Sequence, residues 1–266
     1  MPLKPDQFAP LDPGIAQYLI DQLAPVDGDH LLALPFMPED KRAGALSILA
    51  FTAELREVPL RVTDPLLGAI RLEWWREALE EVFGNRPARR HPLVIALQTT
   101  LSSHPPLKPL LSEVIEGTAL FLEAGEVTTP EEALGLFKVH DGARSGLLYH
   151  YLTMAQQGEE RRHLFERAGA LYGLSRAVLN LRPQDIRAPK EIETPAARYH
   201  RAAASRSFSP ELIEHYQSLW RSIGSLTAEE AAIAAPLKWA RPYLSEKKLS
   251  PLQKRLSLFW TVLRGR

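Results

Sequence analysis

Cysteine is absent from the chain, which in one step excludes a disulfide framework, thiolate zinc, iron–sulfur ligation and a cysteine nucleophile. Charge of one sign is equally lacking. Lys+Arg and Asp+Glu number 32 each, so no overall field recruits nucleic acid or anionic lipid. Short basic runs such as Arg89-Arg90 and Lys247-Lys248 read as solvated surface. No apolar run reaches the roughly 18 residues of a membrane-spanning helix. Met1 to Pro13 lacks the positive-then-apolar layout of a signal peptide, so the expected location is cytoplasmic. What remains is 266 residues, 45% hydrophobic and 24% charged, enough for one large domain around a sizeable core.

Proline is plentiful, at 22 residues, yet its placement favours helix. Asp12-Pro13, Asp64-Pro65, Thr129-Pro130, Thr194-Pro195, Ser209-Pro210 and Ser250-Pro251 each set a capping residue before proline. A side-chain oxygen at the N-cap accepts an orphan backbone N–H, and Pro at the first helical position gives up no needed donor. Thr129 with Glu132 and Thr227 with Glu230 also fit capping boxes. Apolar spacing agrees. Leu46, Leu49, Ala50 and Ala53 form one stripe with Ile48, Phe51 and Leu55 beside it, so this helix is expected to be buried on most sides. Leu67, Ile70, Trp74 and Ala78 line one face of the next helix, away from the polar side, and Leu252, Leu256, Phe259 and Val262 recur at helical spacing in the last.

The chain therefore reads as all-α, a single domain preceded by an extended segment over 1–12. Helices are expected near 13–24, 38–57, 65–83, 91–102, 107–124, 130–157 and 160–182. Four more follow near 195–206, 210–223, 227–235 and 251–264. Val26 to Pro35, the His104-Pro105-Pro106 break and Arg182 to Thr194 are the least helical stretches. Phosphate-binding loops, dinucleotide fingerprints, nucleophile elbows and paired-histidine zinc motifs are all missing. His140, Asp141 and Arg144 form a polar cluster in an otherwise apolar helix, with a core hydrogen-bond network and a ligand site as its two readings.

An ordered series of segments carries a resemblance. It runs from Leu34-Pro35-Phe36-Met37-Pro38 through Leu49-Ala50-Phe51 and Glu54 to Arg71-Leu72-Glu73-Trp74-Trp75-Arg76-Glu77. Ile115-Glu116-Gly117, Thr129 to Ala133, Phe137 to Leu148 and Tyr172 to Arg182 continue it. Together they resemble the squalene/phytoene synthase family. The resemblance implies an isoprenoid-synthase-type helical bundle around a central cavity. In active members, two Asp-rich motifs on facing helices hold Mg²⁺ ions that bind substrate diphosphates. Ionising an allylic diphosphate needs divalent charge on the leaving group, and hard cations need oxygen ligands.

On this chain the first motif falls on Arg56, Glu57 and Leu60, and the second approximately on Arg176, Leu179 and Pro183. Arg182 matches the family's arginine. Asp185 is displaced by two from the last aspartate position, near Arg187, and the mid-chain aspartate is Phe121. Like charges ~4 Å apart repel by ~4 kcal/mol at a surface-type dielectric, so arginine at a ligand position opposes Mg²⁺. One branch of the family shows the same departure, the branch resembling a mitochondrial complex I assembly factor of the phytoene-synthase type. Ala50-Phe51-Thr52-Ala53-Glu54-Leu55-Arg56-Glu57-Val58 and Gly68 to Trp75 resemble its pattern, as does Leu249-Ser250-Pro251-Leu252 with Trp260 and Arg264.

The expected function is thus a non-catalytic assembly or interaction factor. Its partner would be a respiratory-complex subunit, with peripheral contact at the inner membrane face or with a long-chain lipid, and no nucleic acid. The alternative is a divergent prenyl transferase or prenyl-diphosphate binder, the one reading that calls for Mg²⁺. The candidate residues are Glu54, Arg56, Glu57, Arg71, Trp74, Arg176, Arg182 and Asp185, with no cofactor under the first reading. Glu54 either forms a diverged acidic pair with Glu57 or salt-bridges Arg71 or Arg176, since a buried arginine needs a carboxylate.

Overall fold

The computed structural model describes residues 3–62, 64–84, 86–123, 130–154, 158–180, 209–244 and 247–264. Every regular element among them is helical. In chain order these are α1 (Pro13–Ala33), α2 (Arg42–Arg61), α3 (Pro65–Phe83), α4 (Pro92–Leu101), α5 (Leu107–Glu123) and α6 (Pro130–Phe137). A π-turn, Lys138–Gly142, leads into α7 (Ala143–Thr153) and α8 (Gly158–Asn180). The described residues resume with α9 (Ser209–Ile223), followed by α10 (Ala228–Leu237), α11 (Ala240–Leu244) and α12 (Pro251–Arg264).

The helix starts follow from side-chain caps. The Asp12 carboxylate accepts from the Gly14 and Ile15 amides at 2.8 and 3.3 Å, and Asp64 accepts from Leu66 at 2.9 Å. Thr227 and Glu230 close a reciprocal box at α10. Ser250 and Gln253 do the same at α12, where Ser250 Oγ accepts from the Gln253 amide and Gln253 Oε1 from the Ser250 amide. The Thr129 and Thr194 caps and the expected helix near 195–206 lie outside the described residues.

Helix α2 is the axis of the core: Leu46, Ile48, Leu49, Phe51 and Leu55 are all buried. It contacts α1, α3, α4, α5 and α7, which is why both of its apolar stripes are inside. Three segments differ from expectation. Pro5–Phe8 forms a 3₁₀ turn rather than an extended strand of chain, because Phe8 turns into the core. Helix α1 runs on to Ala33 across Pro25, with non-helical backbone at Asp27 (φ −149°, ψ 43°) marking a kink. On α3 the inner face is Gly68, Leu72, Trp75, Ala78, Leu79 and Val82, while Leu67 and Ile70 are more than half exposed.

Close helix crossing fixes the geometry around α7 and α8. A Cβ on Gly169 would stand 2.3 Å from the Asp141 carbonyl oxygen, and one on Gly173 2.4 Å from the Asp141 carboxyl carbon. Only glycine admits the π-turn this near to α8.

Candidate functional site

Between α1, α2, α7 and α8 lies a buried network of ions built on Asp27 and Asp141. The α1 kink turns the Asp27 carboxylate inward, where Oδ2 accepts from Arg144 Nη1 at 2.8 Å and Oδ1 from Arg176 Nη1 at 2.9 Å. His30, one turn on, stands with Nδ1 2.8 Å from Asp27 Oδ1. Burial, then the Arg144 guanidinium, lowers the His30 pKa. The ring is therefore neutral, and its Nδ1–H donates to the carboxylate, which can only accept.

The π-turn presents Asp141, whose Oδ1 accepts from Arg144 Nη2 at 2.8 Å and lies 3.6 Å from Arg56 Nη1. Arg56 also donates from Nη2 to the Val26 carbonyl at 2.8 Å. Burial opposes ionisation of both aspartates, but Arg144 and its neighbouring cations more than offset it and hold both carboxyls below the usual range. His140, on the opposite side of the turn, has its pKa pushed down to about 4 by burial. Thr118 donates its one O–H to the Val114 carbonyl at 2.7 Å, so the 2.9 Å contact with His140 is an Nε2–H donation to Thr118 Oγ1. Asp29, two residues beyond Asp27, has partners of its own. It accepts from Tyr172 and Tyr243 hydroxyls, each at 2.7 Å, and from the Lys254 ammonium.

The structure distributes the sequence-expected residues over two faces of α2. Arg56 enters the ion network, and Arg176 joins it from α8. Glu54 and Glu57 face the other way, into a narrow cleft with Tyr18, Arg61 and His91 whose volume of about 30 Å³ holds about one water. Glu54 pairs with Arg71 at 3.4 Å and Glu57 with Arg61 at 3.4 Å. Of the two partners weighed for Glu54, it is therefore Arg71 that it meets, and Arg176 goes to Asp27. Trp74 lines a pocket of about 380 Å³ with Leu67, Ile70 and Arg71, whereas Trp75 is buried. Arg182 and Asp185 lie outside the described residues, as does Arg187.

Sequence reasoning reached His140, Asp141 and Arg144 as a polar cluster, with a core network as one of its two readings, but missed Asp27, Asp29 and His30. Their signal was present: Asp27-Gly28-Asp29-His30 is a polar tetrad flanked by Ala24-Pro25-Val26 and Leu31-Leu32-Ala33. A polar insertion in an apolar helix needs buried partners.

Among the described residues the donor set does not fit Mg²⁺. Arg56 and Arg176 hold guanidinium groups against the two network carboxylates, and Glu54 and Glu57 are each engaged by an arginine. Among the described residues no group of three or more His, Asp or Glu is disposed to hold a metal ion.

The sequence pattern of the squalene/phytoene synthase family matches residues 23–174, more than half of the chain. A dehydrosqualene synthase, solved in complex with a ligand, superposes with a TM-score of 0.65 at 13% identity. That match covers 92% of this chain and 94% of the other, and carries the fold. NADH dehydrogenase (ubiquinone) complex I, assembly factor 6, is similar in cattle and humans (23% identical over 103 residues) and in the rat (27% over 107 residues). These alignments take in 39% of this chain and about a third of the relatives' length. The matched pattern over more than half of the chain shows that it belongs to the squalene/phytoene synthase family.

Proposed function

We propose that the chain is a non-catalytic member of its family, working as an assembly or interaction factor for a respiratory-complex subunit on the cytoplasmic side of the membrane. The observation that carries this reading is the ion network. Arg56 stands where the family resemblance puts a metal-binding aspartate and Arg176 approximately where it puts the glutamine that opens the second motif, and both are paired with carboxylates from elsewhere in the fold. A diphosphate leaving group needs divalent charge held by oxygen ligands. Here the interior sets the three guanidinium groups of Arg56, Arg144 and Arg176 against the two carboxylates of Asp27 and Asp141, which on this reading take the place of eroded motif aspartates. The mammalian relatives named as complex I assembly factors support the choice of partner class.

The test is an incubation of purified protein with Mg²⁺ and farnesyl or geranylgeranyl diphosphate, followed by assay of released diphosphate. The expected rate is that of the protein-free control. Turnover that disappears in Glu54→Ala and Glu57→Ala would overturn the proposal in favour of a divergent prenyl transferase. In a host that respires through complex I, loss of the chain should lower the assembled complex on native gels. The Glu54→Ala/Glu57→Ala double variant should restore it.

A further inference from the structure

Helix α12 rests on the bundle by a narrow part of its surface. It packs on α10, buries Leu258 and Val262, and sends Lys254 inward to Asp29. Its other side is not core. Leu252, Leu256, Phe259 and Leu263 are 49–66% exposed, with Trp260 beside them at 52%. Spaced i, i+4, i+7 and i+11, the four occupy an arc of roughly 60° on the helix. A contiguous apolar stripe of this kind marks a docking surface.

The charge around the stripe has one sign. From Lys247 to Arg264 there is no Asp or Glu, although the chain as a whole is neutral. Lys247, Lys248 and Arg255 are exposed, and Arg255 and Arg264 flank the stripe on opposite sides. Beside Trp260 opens a pocket of about 300 Å³ lined by Lys238 and Arg264 with the hydroxyls of Ser225, Ser257 and Thr261. Its lining contains no carboxylate. Burial, then the nearby Arg264, lowers the Lys238 pKa, so the two cations stand against each other in a site an anion would relieve.

We propose that this face docks on an anionic lipid bilayer, with the α12 stripe in the acyl boundary and Lys238 and Arg264 receiving a lipid phosphate. Central apolar residues with cations on both flanks let Arg and Lys stems snorkel to the headgroups. A second copy of the chain is the poorer occupant. A two-fold contact through the stripe would set Arg255 and the Lys247-Lys248 pair against a like-charged surface. No described helix is long and apolar enough to cross a membrane, so the contact is with the surface. The inference stands apart from the assembly reading, and prenyl-transfer turnover would leave it intact.

The experiment is flotation of the full chain with vesicles of phosphatidylcholine, or of phosphatidylcholine mixed with phosphatidylglycerol, across a salt series. Binding is expected to the anionic vesicles and to fall with salt. Phe259→Glu should abolish it, and Lys238→Gln with Arg264→Gln should weaken it roughly fivefold per cation removed. Circular dichroism checks that each variant keeps its helix content. Should Phe259→Glu fail to fold, the unaltered chain answers alone: phosphatidylglycerol with brominated acyl chains should quench its tryptophan emission, and the quenching should vanish in Trp260→Leu. Equal binding to both vesicle types, no binding to either, or full binding by the double cation variant would overturn the proposal. So would a dimer that Phe259→Glu disperses in a chain that ignores vesicles.

Discussion

At the scale of single residues, Arg144 is the hinge of the interior. Its two terminal nitrogens bond Asp27 and Asp141 at 2.8 Å each, and all three groups are buried. Replacing it with Met leaves two carboxylates facing each other without their shared cation. Arg144→Met is expected to cost ~3–5 kcal/mol, read as a fall in urea midpoint, because breaking a buried pair strands its partner. His140 gives the interior a pH dependence. With a folded pKa of about 4 against ~6.5 in the unfolded chain, the unfolded state takes up a proton as pH falls through 6.5, and the folded state does not until about 4. Stability is thus full above pH ~6.5 and declines toward pH ~4, by ~3 kcal/mol. The lowered carboxyls of Asp27 and Asp141 add a further loss below the ordinary aspartate range. Urea midpoints measured from pH 7 to pH 4 should fall, and in His140→Gln the decline over that window should flatten. The sequence disclosed Asp141 and Arg144 because they sit three apart in an apolar helix. It concealed Asp27, whose role depends on a kink that no spacing rule announces.

Among the helices, starts were the most legible feature, because a cap followed by proline is a local chemical event. Asp12, Asp64, Thr227 and Ser250 all act as read. Thr227→Ala, which opens the α10 box while leaving the Glu230–Arg161 ion pair in place, is expected to cost ~1 kcal/mol in chemical denaturation. The choice of inner face was less legible. On α3 and α12 most positions are apolar, so two stripes compete and periodicity cannot say which one meets a neighbour. The deciding information is tertiary: α5 covers Gly68 and Leu72 on α3, and α10 covers Leu258 and Val262 on α12. The α7–α8 crossing offers another check. Gly169→Ala would push a methyl into the Asp141 carbonyl and Ser145 Oγ, both at 2.3 Å, for an expected loss of ~1–3 kcal/mol in thermal or urea unfolding.

For the whole molecule, the all-α bundle followed from the absence of alternating strands and the abundance of capped helix starts, and its family from the order of segments. The interior charge pattern could not be read that way, since Arg56, Arg144 and Arg176 come from three helices and meet only in the fold. A bundle whose interior carboxylates are already engaged by arginines should be indifferent to divalent ions. Millimolar Mg²⁺ with inorganic diphosphate is expected to leave the melting temperature unchanged, whereas a specific site filled to 100 times its Kd would add ~2.7 kcal/mol. One local feature governs this arrangement. The π-turn at Lys138–Gly142 carries an additional residue in a single winding, and one residue is worth about 100° of rotation. Every side chain of α7 is therefore out of phase with a ruler laid along α6. Deleting Val139 would restore continuous winding and swing Arg144 away from Asp27, leaving that carboxylate to Arg176 and His30 alone.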